Sequence, residues 1–227
     1  RLKEHPPRLS RVDQVLSEKL PVKGYRDFVI EESDRQGDSS IVIPVDAAVC
    51  EECLEEMFDP NDFRFRYPFI NCTQCGPRYT IIEELPYDRP YTAMKSFTMC
   101  ERCASEYHNP GNRRHHAQPI ACPKCGPKLT LFSIKGEKLA EKEKALQEAQ
   151  VRLERGEIVA VKGLGGYHLA CDAFNESAIR RLRERKRRPK RPLAVMVRSL
   201  EEAGRLCVVS EEEAKVLTSP ESPIVIL

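Results

Sequence analysis

The chain has 227 residues, of which 41% are hydrophobic, 32% charged and 7% aromatic, and it has no tryptophan. This composition is typical of a globular protein with few large core residues, and the length fits one large domain or two small ones. The net charge of +2 points to no particular partner. No apolar run approaches the roughly 18 residues that a membrane-spanning helix needs.

The first 33 residues are too few for an independent domain. They contain two short apolar stretches, at 12–20 and 25–30, and the first fits a helix nearly as well as a strand. Polar residues follow at 33–40, so we predict a linker over 34–49.

Eight of the ten cysteines form four Cys-x-x-Cys pairs, separated by intervals of 18, 24 and 18 residues. A shift of 50 residues superimposes all eight, and 12 of 32 positions are identical between residues 50–81 and 100–131. The segment 50–131 is therefore a tandem duplication. The paired cysteines are Cys50/Cys53 and Cys72/Cys75 in the first repeat, and Cys100/Cys103 and Cys122/Cys125 in the second.

Two Cys-x-x-Cys turns can supply the four thiolates of a tetrahedral structural zinc site. We predict two such sites with ligands paired within each repeat, although pairing between repeats would use the same cysteines. Disulfides would require an oxidising compartment, and iron–sulfur clusters usually show denser cysteine runs. Three histidines of the second repeat could substitute as metal ligands, but they have no counterparts in the first repeat and are predicted to be surface or interface residues. They are His108, His115 and His116.

Glycines follow the second turn of each repeat, at Gly76 and Gly126. Because the chain has to leave a tight turn there, we expect both residues to adopt positive φ.

Helices and strands alternate in the last part of the chain, which indicates an α/β domain over 140–227. A helix is predicted over 141–155 with Gly156 at its end, followed by a strand over 157–162 and a glycine-rich turn. Asn175 can cap a further helix that continues to residue 188. The remaining predicted elements are a strand over 192–197, two short helices around 199–218, and a strand over 223–227.

The residues 180–191 contain nine basic residues and one acidic residue. Lys186 and Arg188 follow the last helical turn and could converge on a polyphosphate, while backbone amides of the glycine turn could approach it closely. The alternatives are a plain tight turn and a solvated helix face. His168 is predicted to be either a neutral histidine of the core or of a cleft, or a residue with a direct role.

The duplicated modules CEECLEEMFDPNDFRFRYPFINCTQCGPR and CERCASEYHNPGNRRHHAQPIACPKCGP precede GEIVAVKGLGGYHLACDAFNESAIRRLRERKRRPKRPLAVMV. In this order they resemble the central part of the HypF family, the carbamoyltransferases of NiFe-hydrogenase maturation, over residues 40–227. Residues 1–33 resemble the last strands of that family's acylphosphatase-like domain, and 140–227 the first half of its YrdC-like domain. The implied fold class is α+β multidomain, with a duplicated four-cysteine zinc-finger module before an incomplete α/β YrdC-like domain.

The resemblance implies that carbamoyl phosphate is cleaved and that the carbamate is adenylated with ATP and Mg²⁺. The carbamoyl group then passes to the C-terminal cysteine of HypE, for synthesis of the cyanide ligands. The family's acylphosphatase catalytic residues and its transferase domain are not in the sequence, so this chain is not expected to complete the cycle alone. The implied nucleotide contacts are Lys162, Gly165, Gly166, His168, Lys186 and Arg188.

Two other functions stay open at this point. Zinc modules beside a basic helix also suit a nucleic-acid or tRNA-binding protein, whose affinity would fall steeply with salt, although we do not expect nucleic acid as the partner. The chain could also be a non-catalytic zinc scaffold. Cys171 and Cys207 lie beside apolar residues and outside the pairs, which favours a reducing, cytoplasmic location. Because no apolar run is long enough to span a bilayer, no membrane partner is expected.

Overall fold

The chain is described from a computed structural model. It covers residues 44–227, residues 12–22 and the isolated positions 4, 6, 9, 10, 24, 26 and 27. Most of the predicted N-terminal remnant and linker therefore lies outside the described residues, including most of the apolar stretch 25–30. Residues 12–20 are described, and they form neither a helix nor a strand.

The two cysteine repeats adopt the same local structure. Helix α1 (Glu51–Phe58) begins after Cys50, and helix α2 (Glu101–His108) begins after Cys100. Acidic residues in the first turn of each helix lie at the positive end of the helix dipole. The chain leaves both helices through the same backbone turn, in which Arg66 and His116 have φ values of 54° and 52°. The 50-residue sequence repeat is therefore also a backbone repeat.

A short 3-10 turn, Tyr79–Ile81, ends the first repeat, and the segment between the repeats contains two more, at Arg89–Tyr91 and Ala93–Ser96. Arg89 is buried and ties this segment to the second repeat, because its guanidinium donates to the carbonyls of Gln118 (2.7 Å) and Ile120 (2.9 Å).

The apolar core of the first repeat includes a residue of the second. Ile70 of the first repeat packs in one cluster with Ala121 of the second. In the same way, Phe63 of the first repeat packs against the cluster that contains Ile120. Neither repeat buries its apolar residues by itself, so the two form one folded unit.

The C-terminal part alternates short strands with helices. Strands β1 (Thr130–Phe132) and β2 (Lys138–Glu141) pair antiparallel, with an irregularity between Leu131 and Phe132. Helix α3 (Lys142–Glu154) packs against both strands and ends at Gly156, whose φ is +76°. The helix predicted over 141–155 and its glycine stop are therefore present.

Strands β3 (Val159–Lys162) and β4 (Tyr167–Ala170) form an antiparallel hairpin with register Val159↔Ala170 to Lys162↔Tyr167. The glycine-rich segment is the turn of this hairpin, and the Gly163 N–H donates to the Gly166 carbonyl at 2.7 Å. Both sheets among the described residues have two strands.

Helix α4 (Glu176–Arg185) is capped by Asn175, whose Oδ1 accepts from the Ala178 N–H at 3.0 Å. It ends three residues before the predicted end at 188. Arg183 stabilises this early turn, because its guanidinium donates to the carbonyls of Arg188 (3.2 Å) and Arg191 (2.9 Å).

Helices α5 (Leu200–Leu206) and α6 (Glu211–Leu217) occupy the predicted region 199–218. The predicted strands over 192–197 and 223–227 are absent, because neither segment is paired with a strand among the described residues. Apolar side chains of both segments, such as Met196 and Ile226, are exposed. Within the described ranges, no helix has the length and apolar character needed to cross a membrane.

Candidate metal centres and nucleotide site

The first cysteine cluster joins a helix start to a tight turn. Cys50 and Cys53 lie at the N-terminal end of α1, and Cys72 and Cys75 lie in the turn. The sulfur atoms of Cys50 and Cys72 are 3.7 Å apart, those of Cys72 and Cys75 3.8 Å, and those of Cys75 and Cys53 3.6 Å. Four sulfurs at about 2.3 Å from a tetrahedral zinc ion would be separated by about 3.8 Å, so the cluster fits a zinc site.

The second cluster repeats this geometry with Cys100, Cys103, Cys122 and Cys125. The Cys100–Cys122 sulfur distance is 3.7 Å, and the Cys122–Cys125 and Cys125–Cys103 distances are both 3.6 Å. In both clusters the four sulfurs all lie within 4.8 Å of one another. The structure therefore brings together the four cysteines of each repeat, and the two clusters fit two zinc ions.

Burial and hydrogen bonds between the thiols shift the cysteine pKa values of the first cluster in opposite directions. Burial raises the pKa of Cys50 to about 11, and hydrogen bonds with Cys72 and Cys75 raise the pKa of Cys53 as well. Hydrogen bonds with Cys53 and Cys75 lower the pKa of Cys72. Four buried thiolates cannot coexist without positive charge, so a divalent ion that binds here has to displace protons.

The glycines that follow the two turns have different roles. Gly76 has a φ of +91°, as predicted. The prediction of positive φ for Gly126 is wrong, because Gly126 is not among the positive-φ residues. A Cβ atom on Gly126 would lie 2.2 Å from the Tyr67 hydroxyl and 2.5 Å from the Ala121 Cβ. The space beside Gly126 is therefore filled both by Ala121 of its own repeat and by Tyr67 of the first repeat, and the contact with Tyr67 is one that local sequence does not reveal.

Each repeat sends a buried arginine to the other repeat's cluster. Arg64 is fully buried, and its guanidinium donates to Glu106 Oε2 (2.6 Å), the Ala121 carbonyl (2.9 Å) and Cys103 Sγ (3.6 Å). Although burial opposes the charged form, the hydrogen bond with Glu106 raises the pKa of Arg64, so the guanidinium stays charged.

Arg114, which occupies the position equivalent to Arg64, makes the reciprocal contacts. It pairs with Glu56 and donates to the Asn71 carbonyl at 2.9 Å and to Cys53 Sγ at 3.8 Å. We call Arg64, Arg114, Glu56 and Glu106 the reciprocal arginine–glutamate pairs. Both the arginine and the glutamate are identical between the repeats, and that identity was the sequence signal that could have identified them.

The three histidines of the second repeat lie outside both clusters. His116 contacts Tyr107 with ring centroids 4.8 Å apart, and His115 contacts His116 at 4.6 Å. His108 packs edge-on against Tyr107 at 5.2 Å. The candidate metal clusters found among the described residues contain cysteines only.

The predicted nucleotide-binding residues occupy the β3–β4 hairpin and the end of α4. Lys162 ends β3, and its Nζ lies 5.5 Å from the centroid of the Tyr167 ring. Gly165 and Gly166 lie in the turn, with open space where a Cβ would stand. His168 is exposed in β4 and does not belong to a core within the described part of the chain.

The two predicted phosphate-binding cations follow α4. Lys186 is the C-cap of the helix and is exposed. Arg187 has a φ of +50° and turns the chain, so that the half-buried Arg188 donates from its Nη2 to the Pro192 carbonyl at 2.9 Å. The buried Nε of Arg188 has no hydrogen-bond partner within the described part of the chain.

These features define a class of protein in which a duplicated four-cysteine finger precedes a small α/β domain. The protein-family model described as "HypF finger" matches residues 49–82 and 99–132. The family model Sua5/YciO/YrdC, described as "Telomere recombination", matches residues 151–227. The structure superimposes with a TM-score of 0.84 and 45% identity on the crystal structure of full-length HypF in the phosphate- and nucleotide-bound form. That match covers 96% of this chain and 28% of the crystallised chain.

Curated relatives match over the whole chain. Carbamoyltransferase HypF2 of Cupriavidus necator is 52% identical over 230 residues, which cover 100% of this chain and 28% of the relative. Carbamoyltransferase HypF of Synechocystis is 51% identical over 222 residues, which cover 98% of this chain and 29% of the relative. The chain belongs to the HypF family and spans little more than a quarter of the length of these relatives.

Proposed function

We propose that the chain is the central segment of a carbamoyltransferase that uses carbamoyl phosphate and ATP. The observation that carries this proposal is that the chain is 52% and 51% identical in sequence, over nearly its whole length, to two proteins named carbamoyltransferase. In the full protein, water hydrolyses carbamoyl phosphate to carbamate and inorganic phosphate. A carbamate oxygen then attacks the α-phosphorus of Mg²⁺-bound ATP, which forms carbamoyl adenylate and releases pyrophosphate.

The carbamoyl group is then transferred to the C-terminal cysteine of HypE. The thiolate attacks the carbamoyl carbon and AMP leaves. To test the transfer, the full-length protein is incubated with purified HypE, carbamoyl phosphate and ATP. The expected result is a mass increase of one carbamoyl group on HypE. HypE with its terminal cysteine replaced by serine is the matched control and should gain no mass. Equal labelling of both forms would contradict the assignment of the acceptor.

Within this chain, the β3–β4 turn and the residues after α4 are proposed to hold the nucleotide. Gly165 and Gly166 leave space for a phosphate beside the backbone, and Lys162, Lys186 and Arg188 supply cations. Arg188 directs its Nη2 to the Pro192 carbonyl and its Nε is buried, so the remaining N–H groups of Nη1 and Nη2 are the ones proposed to donate to a ligand oxygen. His168 is exposed beside the turn and could donate to the same ligand.

The nucleotide site is tested by ATP–pyrophosphate exchange that depends on carbamoyl phosphate, measured on the full-length protein. Lys186→Ala and Arg188→Ala should each lower exchange by about tenfold or more, because a charge-assisted hydrogen bond contributes roughly 1.5–3 kcal/mol. Lys190→Ala, an exposed lysine in the same basic segment, is the matched control. No exchange in the wild type would contradict the adenylation step, whereas unchanged exchange in both variants would contradict only the site.

The eight cysteines are proposed to hold two structural zinc ions that fix the duplicated module between the flanking domains. A rigid module would keep the distance between successive sites constant, so that unstable carbamate is passed on with little exposure to water. Elemental analysis of the reduced chain should find two zinc ions per molecule. If a chelator removes the zinc yet leaves folding and coupled turnover unchanged, the scaffold role is wrong.

A further inference from the structure

The two cysteine clusters differ in the hydrogen bonds that reach their sulfurs. In the first cluster, Arg113 Nη2 donates to Cys53 Sγ at 3.0 Å and its Nη1 donates to Cys50 Sγ at 3.7 Å, in addition to the contact from Arg114. The position equivalent to Arg113 in the first repeat is Phe63, which has no donor. The second cluster therefore receives one arginine, Arg64, where the first receives two.

The turn of the first cluster is also held more firmly. Arg78 is buried and donates from its guanidinium to the carbonyls of Cys72 (3.0 Å), Thr73 (2.7 Å) and Cys75 (2.7 Å). The equivalent position in the second repeat is Lys128, which is exposed. These bonds fix the turn that carries two of the four sulfurs in the first cluster, and the second cluster lacks the buried arginine that makes them.

Solvent access differs in the same direction. All four cysteines of the first cluster are buried, whereas Cys100 and Cys125 of the second are half-buried. A chelator or alkylating reagent can therefore approach the second cluster more directly.

The net charge around the two cysteine clusters does not set them apart in the way that hydrogen-bond donors and solvent access do. Arg102, at the position equivalent to Glu52, brings a positive charge near the second cluster, but its guanidinium stacks on Phe63 at 3.5 Å from the ring centroid. No hydrogen bond joins Arg102 to a sulfur atom within residues 44–227. The clusters thus differ in direct donors to sulfur and in access.

We infer that the second cluster is the exchangeable zinc site and that the first is the retained one. This inference rests on the proposal that both clusters hold zinc. A zinc–sulfur bond breaks when the sulfur takes a proton or another electrophile, and a hydrogen bond to the thiolate makes it a weaker base and nucleophile. The first cluster has more such donors, a fixed turn and full burial, so its zinc leaves later.

The test follows zinc release from the zinc-loaded full chain into excess 4-(2-pyridylazo)resorcinol, with samples pulsed with iodoacetamide and mapped by peptide mass spectrometry. The inference predicts two phases of one zinc equivalent each, and alkylation in the first phase at Cys100, Cys103, Cys122 and Cys125. Simultaneous labelling of both clusters, or earlier labelling of the first, would overturn it. A chain that binds no zinc would instead overturn the proposed zinc scaffold.

Exchanging the differing residues tests the cause. Phe63→Arg with Arg102→Glu gives the second cluster the residues found at the first, and should slow its release by about tenfold. Arg113→Phe with Glu52→Arg should speed release from the first cluster by a similar factor. Arg180→Phe, on the exposed face of α4, makes the same chemical change far from the sulfurs and should leave both phases unchanged. If an exchange variant does not fold, the labelling order in the wild-type chain still decides the inference.

Discussion

The reciprocal arginine–glutamate pairs should make a large contribution to the stability of the duplicated module. We consider Arg64→Met, which keeps most of the side-chain volume and removes the charge. The Arg64 side chain is 0% exposed and its partner Glu106 is 16% exposed. The substitution leaves the Glu106 carboxylate and the Ala121 carbonyl, both in the second repeat, without this donor.

The expected loss in the free energy of unfolding is about 3 kcal/mol. Removing one member of a buried ion pair typically costs about 3–5 kcal/mol, because the other charge stays desolvated without its partner. The partial exposure of Glu106 places the expectation at the lower end of that range. Replacing both residues, with Arg64→Met and Glu106→Leu, should cost less than the sum of the single changes because no isolated charge remains.

The measurement is urea unfolding of the zinc-loaded chain at a fixed concentration of free zinc, followed by circular dichroism. Arg66→Met is the matched control in the same repeat, because Arg66 pairs with Glu143 at 2.7 Å while both side chains are at least 40% exposed. That change should cost less than about 1 kcal/mol. If Arg64→Met costs no more than Arg66→Met, the reasoning from burial is refuted.

Three further changes test other contacts. Gly126→Ala should lower the free energy of unfolding by about 1–3 kcal/mol in urea titrations, because its Cβ would overlap the Tyr67 hydroxyl. The control Gly165→Ala has open space around its Cβ and should change the free energy of unfolding by less than about 0.5 kcal/mol, and equal effects of the two changes would contradict the close approach at Gly126. Burial opposes ionisation of Glu56, but its arginine partners lower its pKa, so ionised Glu56 stabilises the fold above the ordinary glutamate pKa and this contribution is lost as pH falls. The difference in free energy of unfolding between wild type and Glu56→Gln should therefore shrink from about pH 7 to about pH 4, and a difference that grows would contradict the assignment. Asn175→Ala should cost about 1 kcal/mol and increase amide hydrogen exchange in the first turn of α4, and unchanged exchange there would show that the cap is unimportant.

Local sequence was sufficient for features that depend on neighbouring residues. Two cysteines separated by two residues can direct both sulfurs to one ion, at a helix start as well as in a tight turn, so their spacing predicted both clusters. The resemblance to a known family identified them as a finger. Helix α3 and its end at Gly156 followed from composition and from the need for positive φ. The Asn175 cap likewise acts over only three residues.

Strands were predicted less well because a strand requires a partner. The apolar runs at 192–197 and 223–227 have strand composition, but they have no hydrogen-bonded neighbour among the described residues. The nucleotide residues on the β3–β4 hairpin and after α4 stay predictions, because their roles depend on a ligand that approaches from outside the chain.

The amino-acid sequence by itself determined where the sulfurs, the helix caps and the repeat lie, since each is a property of residues within about one turn or of a fixed offset. Only the tertiary structure decided that each repeat completes the other. Arg64 reaches a glutamate 42 residues away and Arg114 one 58 residues away, and Gly126 is approached by a tyrosine of the opposite repeat. Contacts over such separations depend on how two folded modules pack, and the local pattern of neither module contains that information.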